Sequence, residues 1–62
     1  MYYRLYFYEA GHIVRVAEFS CEDDAAAVER VAEHADGRAM ELWERGRLVK
    51  GFPADDTNPR GR

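Results

Sequence analysis

The chain has little of what equips a small protein with covalent or metal chemistry. Its 62 residues hold one cysteine, Cys21, and two histidines, His12 and His34. A lone cysteine closes no internal disulfide. One Cys with two His falls short of the four Cys or His ligands of a closed structural zinc site. No apolar run approaches the ~18 residues of a membrane-spanning helix. Met1 leads straight into a strand-like segment with no hydrophobic leader, so the expected compartment is the cytoplasm, where a free thiol is ordinary. A surplus of positive charge is missing too, since the net charge is −3. No catalytic or cofactor motif stands out. Length adds a further limit: a domain this small hides only about 60% of the surface its unfolded chain exposes. With disulfide and metal excluded, a second protomer is the remaining common source of stability.

What is present is a strongly β-prone opening. Tyr2-Tyr3-Arg4-Leu5-Tyr6-Phe7-Tyr8 alternates, with Tyr3, Leu5 and Phe7 on one face and Tyr2, Arg4, Tyr6 and Tyr8 on the other. Glu9 to His12 reads as a turn in which Gly11 takes a positive φ. A second strand is expected over Ile13–Phe19. Val14 and Val16 share a face there and Phe19 falls on the other, so a bulge is expected near Ala17-Glu18 to return Phe19 to the core.

A helix follows. Asp23 or Asp24 is the expected cap, and Glu22, Asp23 and Asp24 suit the positive end of the helix dipole. Val28, Val31, Ala32 and Ala35 fall at i, i+3, i+4 and i+7 and, with Ala25, are the expected buried stripe. Glu29, Arg30 and Glu33 should face water, and Gly37 should stop the helix at its C′ position. These small side chains suggest a helix lying close to the sheet. A third strand is read at Arg38–Trp43, a turn at Glu44-Arg45-Gly46 and a fourth strand at Arg47–Phe52, ended by Pro53. Charge divides along the same lines. Ser20 to Asp36 carries −5, and the strands and tail together carry +2.

The elements give an α+β chain of order ββαββ over residues 1–52, with a disordered tail at 53–62. The helix should run back along the sheet. The short Asp36-Gly37 link favours strand three beside strand one, hence an antiparallel sheet in order 2-1-3-4 with the helix on one face. A β-grasp-like order, 2-1-4-3, is the alternative.

Certain stretches resemble a group of short, uncharacterised bacterial proteins of about 60–70 residues. They are Tyr3-Arg4-Leu5-Tyr6-Phe7, Gly11-His12-Ile13-Val14-Arg15, His34-Ala35-Asp36-Gly37-Arg38-Ala39-Met40-Glu41-Leu42-Trp43 and Arg47-Leu48-Val49. The resemblance covers about residues 1–53. It implies bacterial cytoplasmic character and these element boundaries, but no activity and no site residue.

Catalytic chemistry finds little support. Cys21 precedes the helix, where a thiolate is stabilised, but both histidines are expected at the opposite end, out of reach of a nucleophile–base pair. His12 and His34, with Glu9 or Asp36, make a donor set that holds divalent metals. The plainer reading puts His34 against the helix C-terminal dipole, where it needs no ligand. No cofactor, metal or small-molecule ligand is expected, because so short a chain has little room for a cleft of about 300 Å³. The protein reads as a non-enzyme.

The sheet face away from the helix is the better lead. Tyr2, Arg4, Tyr6, Tyr8, Glu41 and Trp43 should gather there, and Tyr, Trp and Arg are the residues that concentrate binding energy at interfaces. On a merely solvated face, the tyrosine rings shield the backbone and Arg4 and Glu41 pair across strands. Otherwise the face takes a protein partner, most simply another copy. Single-stranded nucleic acid is the alternative, its bases stacking on Tyr2, Tyr6 and Tyr8 and its phosphates meeting Arg4, Arg15, Arg47 and Lys50. The acidic balance argues against it.

Overall fold

In the computed structural model, which describes residues 1–54, the chain forms β1 (Tyr2–Glu9), β2 (His12–Ser20), α1 (Asp24–His34), β3 (Ala39–Glu44) and β4 (Arg47–Phe52). The expected disordered tail falls, from residue 55 onward, outside the described residues. The strands form one antiparallel sheet in the order β2-β1-β3-β4. This is the favoured order of the two, with β1 at the centre because it is apolar on one face and aromatic on the other.

Two-residue loops set the hairpins. Ala10 and Gly11 both take positive φ, 53° and 81°, and join paired Glu9 and His12. Both central residues of a type I′ turn require such angles. From that turn an unbroken ladder would place Val14 opposite Phe7, Val16 opposite Leu5 and Glu18 opposite Tyr3. Instead the register shifts at once: Tyr8 faces Ile13 and Phe7 faces Arg15, leaving Val14 as the extra residue. The bulge therefore lies at Val14, not at Ala17-Glu18. Every later side chain of β2 changes face. Phe19 comes opposite Tyr3, inside, while Val16 comes opposite Tyr6 on the outer face and Val14, unpaired in the bulge, is left exposed. Burying one phenylalanine in place of Glu18 decides the exchange, since a buried carboxylate without a partner is far costlier than two half-exposed valines.

The core is formed by Tyr3, Leu5, Phe7, Phe19, Met40 and Leu42 from the sheet with Ala27 and Val31 from the helix. Large sheet side chains meet small helical ones, so it is the sheet that fills the space between the layers. The helical stripe is displaced from the expected one. Ala25, Ala32 and Ala35 are exposed, and the inward line runs through Asp24, Ala27, Val28, Val31 and His34. Arg30, expected in water, lies partly buried with its guanidinium 5.5 Å from the Phe19 ring centroid.

Asp23 caps the helix, its Oδ1 accepting from the Ala26 N–H at 2.9 Å. Asp24 at the start of α1 meets Arg47 of β4, and His34 at its end stacks on Phe19 of β2 with centroids 5.4 Å apart. Because β2 and β4 are opposite edges, the helix lies across the sheet, while the segment from Ser20, beside Tyr2, to Ala39, beside Tyr8, brings the chain back along the strands so that β3 enters antiparallel to β1. The lengths agree: 11 helical residues span about 16 Å, and three strand spacings span about 14 Å. The helix ends at His34 through an extended Ala35 (φ −61°, ψ 134°), two residues before Gly37. Gly37 (φ 94°) is thus not the C′ residue. It turns the chain inside the Ala35–Arg38 link that delivers β3 to Tyr8.

Candidate functional site: the open sheet face

The face opposite α1 is built by alternation on three strands and completed by the two bulges. β1 contributes Tyr2, Arg4, Tyr6 and Tyr8. β3 places Ala39 opposite Tyr8, Glu41 opposite Tyr6 and Trp43 opposite Arg4. The six residues expected on this face are therefore together on it. β2 adds Val16 beside Tyr6 and Glu18 beside Arg4, with Ile13 beside Tyr8. A second register shift, at Val49, sets Leu48 beside Trp43.

Sequence reasoning missed the aliphatic rim. Ile13, Val14, Val16 and Leu48 are each 45–51% exposed, as is Tyr2 at 48%. Phe19 alone was not a sufficient signal: a bulge anywhere before it turns it inward, and only the bulge at Val14 also turns Val16 outward and Arg15 and Ala17 inward.

Two carboxylates organise the rings. One oxygen of Glu41, Oε1, accepts from the Tyr8 hydroxyl at 2.8 Å and from the Trp43 indole N–H at 3.1 Å. Glu18 accepts from the Tyr2 hydroxyl and pairs with Arg4, Nε to Oε2, at 3.4 Å. Arg4 thus pairs with Glu18 and not with Glu41. These contacts leave their mark on titration. The hydrogen bond to Glu41 raises the Tyr8 hydroxyl above its ordinary value, and that to Glu18 does the same for Tyr2. Contact with Tyr6, then the charge of Glu18, raises Arg4 further. The rings are held by their polar ends while their flat surfaces stay half-buried.

The other basic side chains named with this face lie elsewhere. Arg15 projects to the helix side, 4.8 Å from the Phe7 centroid and 3.6 Å from Asp36. Arg47 chelates Asp24 and reaches Glu44. Lys50 lies opposite Leu42 with its amine 5.5 Å from the Phe52 centroid. Nor do the histidines approach one another. His34 is at Phe19, seven positions along β2 from His12, or about 23 Å at strand rise. That brings His34 to the Cys21 end of the sheet, where it was not expected. Its imidazole is stacked on Phe19, and Cys21 is partly buried against the core.

The surface also has more relief than the chain length implied. Two open hollows of ≈ 360 and ≈ 330 Å³ are present, one between the Ala10-Gly11 turn and Gly37-Arg38, the other lined by Tyr2, Arg4 and Arg45. No described helix is long and apolar enough to cross a membrane. Comparison with known proteins gives no match to a family model, a curated protein or a solved structure.

Proposed function

We propose that the chain is a small cytoplasmic interaction module without catalytic chemistry, whose open sheet face docks a protein partner, most simply a second copy of itself. The observation that carries this reading is the aliphatic rim of Ile13, Val14, Val16 and Leu48 around the rings of Tyr6, Tyr8 and Trp43. Apolar surface of this kind is what a partner buries. Tyr8 and Trp43 are already tied to Glu41, so docking orders few side chains anew.

Size limits the strength. Four strands at their usual spacing and some six residues of length give a footprint of about 400 Å² in plan, against about 800 Å² per partner in a standard interface. The association expected is therefore weak and reversible. The nucleic-acid reading has less behind it, because Arg15, Arg47 and Lys50 lie on the helix side and only Arg4 and Arg45 border the rings.

Sedimentation velocity from low micromolar to near-millimolar concentration tests the proposal. Wild type should pass from monomer to dimer. Val16→Asp, which puts a charge on an exposed position of the face, should remain monomeric with an unchanged fold. A strict monomer throughout, or a dimer indifferent to Val16→Asp, would sink this reading.

A further inference from the structure

The open face ends, beside the β3–β4 turn, in the hollow lined by Tyr2, Arg4 and Arg45. Two of the three residues that line it are arginines. Glu18 answers part of that charge through its contacts with Tyr2 and Arg4. Arg45 differs. It is exposed, and among the described residues it takes part in no ion pair. Among the described residues, the hollow keeps one uncompensated positive charge. The other hollow offers a contrast, since its arginine, Arg38, is held by Glu9 at 3.2 Å and Asp36 at 2.5 Å.

The backbone of Arg45 is unusual as well. Its φ is 59°, in the left-handed region that glycine occupies freely and other L-residues occupy at a cost. Glycine stands next to it, at Gly46, which does not take that region. A turn selected for stability alone would carry its glycine at position 45. Ala10 takes the same region in the other two-residue turn, so the conformation comes with the turn; what sets position 45 apart is the charged side chain it carries.

We propose that Tyr2, Arg4 and Arg45 form an oxyanion-binding site, taking a carboxylate or a phosphate group. A planar guanidinium offers paired N–H donors that match either group. An incoming oxyanion meets Arg45 uncontested and competes with Glu18 for Arg4. Glu18 therefore sets how strong an anion must be to enter. That the group belongs to a docked partner rests on the function proposed above; the anion chemistry of the hollow does not.

The test is an NMR titration of the ¹⁵N-labelled chain with sodium phosphate and, separately, sodium acetate, with ionic strength held constant by sodium chloride. Saturable shifts are expected at the Tyr2, Arg4, Arg45 and Gly46 amides and at the arginine Nε–H groups. Arg45→Gly supplies glycine where the backbone favours it, so it should melt no lower than wild type while binding at least tenfold more weakly. Glu18→Gln removes the competing charge and should bind several-fold more tightly. Saturation by phosphate alone supports a phosphate ligand, and saturation by acetate as well supports a carboxylate. Linear shifts with both anions, or binding unchanged in Arg45→Gly, would overturn the proposal. Sedimentation of the same samples keeps the two ideas apart: a monomer that binds anion removes only the docking reading, and a dimer that does not removes only this one.

Discussion

Tyr3 shows how a single side chain joins the two layers by burial and by a hydrogen bond at once. Its ring is fully buried and its hydroxyl donates to Asp24 Oδ1 at 2.8 Å. Arg47 donates to both Asp24 oxygens, at 3.0 and 3.1 Å, and to Glu44 at 3.2 Å. One carboxylate thereby links β1, α1 and β4. Burial, then the hydrogen bond to Asp24, pushes the Tyr3 hydroxyl up to about 12. Hydrogen bonds from Arg47 and then Tyr3 hold Asp24 below its ordinary 3.8. The two shifts act at opposite ends of the pH scale. A raised tyrosine keeps its proton in the fold after the unfolded chain has lost it. Its contribution is whole below the ordinary value of 10.0 and is lost as pH climbs through about 12. A depressed carboxylate contributes fully above 3.8 and less as pH falls through its folded value. Melting temperature should therefore drop between about pH 10 and 12 and again below about pH 4. Tyr3→Phe should flatten the alkaline fall and Asp24→Asn the acid one, both from a lower starting point. Thermal melts across pH check this, and an alkaline fall as steep in Tyr3→Phe as in wild type would count against it.

At the scale of elements, β1 was legible because its two faces differ in chemistry, and Ser20–Asp24 was legible as a helix start because it is crowded with side chains that cap. The positions of Tyr2, Arg4, Tyr6, Tyr8, Glu41 and Trp43 on one face followed from alternation in β1 and β3, which no bulge interrupts over those pairs. In β2, hydrophobicity misled. Val14 and Val16 look like a core pair, and Arg15 looks like a surface residue, yet the bulge reverses them. Arg15 is tolerated inward because its stem covers Phe7 while its charge reaches Asp36. In α1 the difficulty was alanine, which suits core and solvent equally, so the rotation of the helix was not written in its alanines. The rotation is testable. Ala27 is fully buried and Ala32 exposed. Ala27→Leu should overpack the core and cost about 1–3 kcal/mol, whereas Ala32→Leu should change stability by no more than about 0.5 kcal/mol. Urea melts of the two variants decide it, and similar costs at both positions would mean that the helix faces the sheet differently.

The whole molecule joins these points through its size. A chain of 62 residues is expected to hold only about 3–9 kcal/mol of stability. One helix covers one face of the sheet, and the bulge that brings Phe19 under that helix turns Val16 to the other face and leaves Val14 exposed. Improving the inner layer thus leaves apolar surface on the outer one, and a partner that covers it returns stability to the fold. On the function proposed above, this couples folding to association. For a chain that unfolds from a dimer, each tenfold rise in concentration above the dissociation constant adds about 1.4 kcal/mol per dimer, or ~0.7 kcal/mol per chain. With an unfolding entropy of about 2.1 cal/mol/K per residue, that amounts to a rise in Tm of ~5 °C. Calorimetric scans of wild type should show this climb at high protein concentration and a plateau below the dissociation constant. Val16→Asp should keep the plateau at every concentration, because the monomer retains its core and loses only the surface by which it associates. A wild-type Tm that stays level up to near-millimolar protein would mean that the outer face contributes nothing to the fold through self-association, and that the exposed valines are simply the consequence of burying Phe19.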